Sequence, residues 1–399
     1  MVVAGKPQRF PFAFPPDIGE PEELARLRAH APVSRVLLPT GDQAWLVTRH
    51  RDVQQVLKDP RLSRAAAETS DAPRQGRVIV GDRTLIGMDD PEHNRLRRVF
   101  VRHFTMRRVD RLRPWTQDLA DRLLDELIAG GPPGDLVAGF AQPIPLKLVL
   151  SLLGVPDEDS DLLREWTDVA LSMSVHTPEE ITQTRGDLEN YVREMIEFRR
   201  REPTDDLLGV LVTERDETGR LTEEELLAFV FLLMTAGHHS TVNAISTGIL
   251  ALLHAPDQFR RLRDDPELIP TAVEELLRYN PSTITGAMMR VALENVELGG
   301  ITVPAGEGVL AAIGSANHDE TVFPAAHSVD IDRMDNPHLA FGYGIHYCLG
   351  APLARMELQV AIATLIRRLP TMRLAVPVQD LEWRSYLVSR ALSALPVMW

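Results

Sequence analysis

One cysteine in 399 residues rules out an intrachain disulfide, and with it the small secreted scaffolds that depend on them. Positive charge is also in deficit. Lys+Arg 43 against Asp+Glu 57 leaves a formal net charge of −14, so no nucleic-acid partner is expected. The first residues, MVVAGKPQRFPFAFPPDIGEPEEL, are broken by prolines and charges and hold no run suited to a signal peptide or anchor. The longest apolar stretch elsewhere, Leu226–Ala236, is too short to cross a bilayer. A soluble, cytoplasmic protein without a membrane partner is the expectation. Low-complexity segments and internal repeats are missing too, and the 29 prolines and 25 glycines are dispersed. With 44% hydrophobic and 25% charged residues, disordered, collagen-like and coiled-coil readings are poor.

What is present is mostly helical periodicity. Glu20–Ala31 and Asp52–Lys58 read as helices around a strand pair, Val33–Leu38 and Gln43–Val47, with a turn near Gly41-Asp42. Ser63–Asp89 reads as a long loop, and loops of that length usually carry function. Arg108–Ala129 and Ile144–Leu153 read as helices. Pro156 and Pro178 open two more, reaching Val175 and Arg201. Thr222 followed by Glu225 is a capping box that starts the longest pattern, Thr222–Leu253. Pro256 and Pro270 open further helices, the second ending at Tyr279. Thr285–Val309 turns β-like around Gly299-Gly300, Ala351–Leu369 is helical, and short strands close the chain. No composition break marks a linker. The expectation is one domain over 1–399, mainly α with small β-sheets.

Cys348 lies in the run from Phe341 to Arg355, FGYGIHYCLGAPLAR. A lone cysteine is ordinarily a small buried hydrophobe. Here Gly342, Gly344 and Gly350 open the backbone, and a helix begins just after, near Ala351-Pro352. Free N–H groups at a helix start favour a thiolate. A thiolate in a glycine-lined loop suits an axial position on iron, with room for a flat macrocycle.

This stretch resembles the haem-binding loop of the cytochrome P-450 family, Phe-x-x-Gly-x-x-x-Cys-x-Gly, through Phe341, Gly344, Cys348 and Gly350. The resemblance implies that Cys348 is the axial iron ligand, donating electron density that favours O–O cleavage. It implies that His346 meets a haem propionate. Further family marks follow in order. Glu275-Leu-Leu-Arg278 resembles the Glu-x-x-Arg pair, which Arg333 would complete as a structural triad; Val329 stands where Phe is frequent. His93 and Arg97, at i and i+4, resemble the propionate clamp, and Arg290 a further propionate ligand. Ser389–Val397 resembles the closing hairpin, so the resemblance spans the chain. It implies the cytochrome P-450 fold, with haem b between the long helix and the helix of the Cys loop.

The long helix departs from the family's Ala-Gly-x-(Glu/Asp)-Thr. Gly237 matches and would make room for dioxygen. His239 stands where the acid is expected and Ser240 where Thr is expected, with Thr241 next. Ser keeps the hydroxyl, and His carries protons near neutral pH. Either Ser240 and water still relay protons, or the relay is weakened and the chemistry tolerates or needs that; in a third reading His239 points away and packs structurally. Adjacent His238 and His239 do not share a helix face, and no His-Glu-x-x-His is present, so a non-haem metal site is not expected.

The basic run Pro91–Arg113 reverses the overall charge and would steer an acidic partner, a ferredoxin served by its reductase. By resemblance the substrate pocket includes Val80, Leu85, Leu233, Ile284, Met288 and Leu387, and suits a largely apolar molecule. The expected function is a monomeric haem-thiolate monooxygenase. It would hydroxylate or epoxidise an apolar secondary metabolite such as a macrolide, another polyketide or a peptide, free or carrier-tethered. Oxidative coupling or desaturation on the same cofactor is the alternative, and a non-catalytic auxiliary homologue a third reading.

Overall fold

The computed structural model describes residues 7–15, 18–69, 71–74, 84–170, 176–279, 288–384 and 390–399. Helices dominate: α1 Glu22–His30, α2 His50–Lys58, α3 Glu92–Val101, α4 Met106–Asp110, α5 Arg113–Gly130, α6 Pro143–Leu153 and α7 Ser160–Ala170. Then follow α8 Pro178–Arg201, α9 Leu207–Thr218, α10 Glu223–His254, α11 Pro256–Asp264, α12 Ile269–Tyr279, α13 Ile313–Ala316 and α14 Ala351–Arg368. This is the mainly α architecture expected.

Local chemistry explains the boundaries. Thr222 accepts from Glu225 N at 3.2 Å while Glu225 Oε2 accepts from Thr222 N at 2.9 Å, so the capping box starts α10 as read. The expected helix Arg108–Ala129 is two helices, because Pro114 begins α5 and its ring cannot follow an unbroken turn. Helix α9 went unread, although Asp206 caps it by accepting from Gly209 N at 2.8 Å and Gly219 ends it in the left-handed region.

The main sheet runs in the order Gln8–Arg9, Val33–Leu37, Gln43–Val47, Gly308–Ala311, Arg290–Ala292, Leu62–Ser63. Leu298 pairs with Ile301 across Gly299 and Gly300, whose φ values of 55° and 83° match the hairpin read from sequence. Helix α10 is the axis of the core. Every residue from Thr241 to Leu252 is buried, and the helix packs on α6, α8, α12 and α14. By length and composition α10 would cross a membrane, a property that counting only its unbroken apolar run missed; here it is the central core helix.

The base beneath the Cys loop is a buried ionic cluster. Arg278 donates from Nε and NH2 to Glu275 at 2.8 and 2.7 Å, and Arg333 Nε donates to the same carboxylate at 3.0 Å. Arg278 NH1 also donates to the carbonyls of Asn317 and Ala326, both at 2.8 Å. The expected triad is thus formed, and its remaining donors pin the chain between 317 and 328.

Candidate functional site

The run before α14 is a tight loop. Gly342 and Gly344 take φ values of 74° and 73°, and a Cβ on Gly344 would meet Leu57 O at 2.9 Å. Cys348 N donates to Phe341 O at 2.8 Å, closing the loop on itself. The Cys348 side chain is accessible, but it opens among protein groups, and their desolvation raises the thiol's pKa. The amides of Gly350 and Ala351, and the charges of Arg97 and Arg355, act the other way and favour the thiolate. Gly350 itself sits at a φ of −84° with nothing near its Cβ position, so it keeps that side of the loop open.

A second network holds the loop. Arg355 Nε and NH2 donate to the two Glu274 oxygens at 2.7 and 2.8 Å, and NH1 donates to Tyr347 Oη at 3.1 Å. The Arg355 guanidinium lies 4.5 Å from the Phe341 ring centre. Burial alone would raise the Glu274 carboxyl, but His338 and Arg355 hold it down to about 2. The sequence reading missed this pair. The signal was there: Glu274 directly precedes Glu275, and Arg355 follows Cys348 by seven positions, in the second turn of α14.

Cations gather on one side of the loop. His93 is fully buried in the first turn of α3, and neither ring nitrogen has a hydrogen-bond partner among the described residues; Asp90 Oδ1 is 3.8 Å from Nδ1. Its ring centre lies 4.5 Å from that of His346, whose Nε2 is likewise buried and unpartnered. Arg97, one turn along α3, donates to Tyr347 O at 2.7 Å. Arg290 is buried on the strand Arg290–Ala292, and burial pushes it down to about 10. His346 is pushed down to about 3, first by burial, then by Arg290, His93, Arg64 and Arg97. These expected residues therefore converge. Arg64 joins them unforeseen, locked in place by Glu68, Ile86 O and Met289 O.

On α10, Leu233, Ala236 and Ser240 follow at helical spacing. Ala236 and Ser240 are exposed in the middle of an otherwise buried helix. Ser240 Oγ donates to Ala236 O at 3.0 Å, the i−4 back-bond expected of a hydroxyl there. The expectation for Gly237 is corrected. A Cβ there would meet Val149 Cγ2 of α6 at 3.0 Å, so its smallness allows close helix packing, and Ala236 is the small residue on the open face. Thr241 is buried. His239 points to α7, with Nε2 3.1 Å from Asp168 Oδ1.

Of the expected pocket residues, Leu85 is buried in a short 3₁₀ turn, Leu233 is half-buried on α10, and Met288 is half-buried just before Met289. Val80, Ile284 and Leu387 lie outside the described residues.

Residues 161–371 match the family model for Cytochrome P450. The chain is 46% identical over 391 residues to nocardicin C N-oxygenase of Nocardia uniformis subsp. tsuyamanensis, covering 98% of each. It is 44% identical over 399 residues to mycinamicin IV hydroxylase/epoxidase of Micromonospora griseorubida, covering 100% of both. The crystal structure of SgvP, a putative thioether synthase in griseoviridin tailoring, superposes with a TM-score of 0.95 at 38% identity over 99% of this chain and 100% of that one. The chain belongs to the cytochrome P450 family. It has that family's fold and is a monooxygenase.

The family implies a haem-iron cofactor, and the residues fit one. The charges of Arg97 and buried Arg290, with the ring nitrogens of buried His93 and Nε2 of His346 unpartnered among the described residues, form a cradle of the kind carboxylates fill. Cys348 offers the soft sulfur donor that haem iron accepts. No group of three or more His, Cys, Asp or Glu suited to another metal occurs among the described residues.

Proposed function

We propose that this chain, as one monomeric domain over 1–399, hydroxylates or epoxidises an apolar secondary metabolite using haem b ligated by Cys348. The observation that carries this reading is the convergence of His93, Arg97, Arg290 and His346 beside the Cys348 loop, with both ring nitrogens of His93 and Nε2 of His346 unpartnered among the described residues. When bound, haem supplies one-electron and dioxygen chemistry that side chains lack. The protein's part is placement. His93, Arg97, Arg290 and His346 grip the propionates, while Phe341 and Gly350 bound the loop. Ala236 leaves space on the open face of α10. Ser240 holds a hydroxyl there for water, with His239 able to supply protons. Pocket residues Leu85, Leu233 and Met288, with Val80, Ile284 and Leu387, contribute apolar lining.

The substrate class draws on the relatives, whose names specify a nocardicin and a mycinamicin. The substrate is free or carrier-tethered. Titrating ferric holoenzyme with macrolide, polyketide and peptide ligands tests this. A low-to-high-spin change with one class, followed by an oxygenated product, supports the reading; silence across all classes overturns the substrate assignment. A second reading, coupling without oxygen insertion, is favoured by the likeness to the thioether synthase, and product mass separates the two.

Electrons come from a cytoplasmic ferredoxin and its reductase. Arg98, Arg102, Arg107, Arg108 and Arg111 are exposed, with apolar Val101 and Met106 among them. Arg102 already pairs with Glu214, so Arg98→Glu and Arg107→Glu are the cleaner reversals. Each is expected to slow reduction by ferredoxin severalfold at low salt, without changing substrate affinity. Stopped-flow rates equal to those of the unaltered enzyme would remove this surface from consideration.

A further inference from the structure

His239 stands where the family's long helix carries an acid, and the fold brings a carboxylate to it from another helix. Asp168, in the last turn of α7, places Oδ1 3.1 Å from His239 Nε2. The approach lacks hydrogen-bond alignment, so the attraction is one of charge. The His239 side chain is 16% exposed and that of Asp168 30%, so the imidazole is largely enclosed while the carboxylate reaches water. Arg164, one turn back on α7, lies 3.8 Å from the other Asp168 oxygen. His238 packs its ring 4.2 Å from that of His239, and its buried Nδ1 has no partner among the described residues. Arg384, on the strand Trp383–Arg384, turns its charge toward both histidines. Among the described residues, one carboxylate therefore faces His239 amid cationic groups.

The two histidines provide an internal comparison. Burial, then His239, Arg164 and Arg384, drive His238 well below its ordinary value. His239 is also lowered by burial and by Arg384, but Asp168 opposes them. The Asp168 charge favours the protonated imidazole there, against burial and Arg384.

We propose that Asp168 is the positioning carboxylate of His239, and that His239 donates protons to water on the Ser240 face of α10. The acid and alcohol expected on one helix are thus divided between two. This rests on the monooxygenase reading above. The imidazolium gives up one proton to water beside Ser240, whose Oγ donates to Ala236 O. The ring becomes neutral and is reprotonated from solvent. Asp168 takes no proton in this step, and no electron moves at either residue.

The test uses Asp168→Asn and Asp168→Glu in the holoenzyme, with two readouts. The first is the NMR titration of the His239 ring in the reduced, diamagnetic carbon monoxide form, assigned by His239→Gln. Asp168→Asn is expected to move it to lower pH by about one unit, and Asp168→Glu to restore it. The second is the share of electrons recovered in product instead of peroxide, followed against pH. Its fall at high pH is expected to move to lower pH by the same amount. An unmoved titration in Asp168→Asn overturns the proposal regardless of activity. A moved titration with an unchanged product-to-peroxide profile also overturns it, because the pair is then only a tie between α7 and α10. A loss of product from the unaltered enzyme with every ligand class counts instead against the monooxygenase reading.

Discussion

Cys348→Ser is expected to give a folded protein that has lost oxygenation and the strongly red-shifted Soret band of its reduced carbon monoxide adduct. Cys348 is exposed and lies outside the buried cores, so replacing Sγ by Oγ removes little packing and the polypeptide is expected to fold. The loop closes through the Cys348 backbone, whose N–H bond to Phe341 O survives. What is lost is the donor. The amides of Gly350 and Ala351, with Arg97 and Arg355, favour negative charge on sulfur, whereas a serine hydroxyl holds its proton too firmly to become an anion there. The propionate cradle does not involve Cys348, so residual cofactor binding is expected in the variant. A Cys348→Ser protein that keeps the red-shifted band, or turns over at more than a small fraction of the original rate, would contradict the ligand assignment.

The sequence announced the site where one short segment carries the chemistry, and hid it where the chain folds back on itself. Cys348, Gly344 and Phe341 sit within a single loop, and the His93–Arg97 spacing fits one helix turn, so local pattern was enough. Arg64 could not be found that way. It reaches the cluster through Met289 O, 225 positions on, and nothing near it in sequence marks that pairing. Glu274–Arg355 spans 81 positions for the same reason. Gly237 was misread because a motif gives a residue's size but not the direction of its missing side chain, and that direction is set by α6. Asp168 lay in a helix read correctly in outline, but only the packing of α7 over α10 shows what it faces. Helix α9 was missed although its Asp206 and Gly219 caps are local signals.

Glu275→Gln is expected to destabilise the protein by about 3–5 kcal/mol, the usual cost of removing one member of a buried ion pair. Glu275 and Arg278 are both wholly buried, and Arg333 is nearly so. One carboxylate meets Arg278, Arg333, Asn336 Nδ2 at 3.1 Å and Asp330 N at 3.0 Å. A neutral amide of the same shape leaves two guanidiniums with no compensating charge, and its NH₂ group points a donor at donors. Arg278→Lys should also destabilise, by a different route. A single ammonium cannot reach Glu275 and the carbonyls of Asn317, Ala326 and Ser328 together, so buried acceptors are left unmet. Denaturant unfolding followed by far-UV circular dichroism measures both variants. Because this cluster pins the segment that leads into the Cys348 loop, partial unfolding should release haem before the helices melt, and Soret loss should precede the circular dichroism transition in Glu275→Gln. Coincident transitions, or a destabilisation below about 1 kcal/mol, would show that the cluster does not hold the loop's foundation.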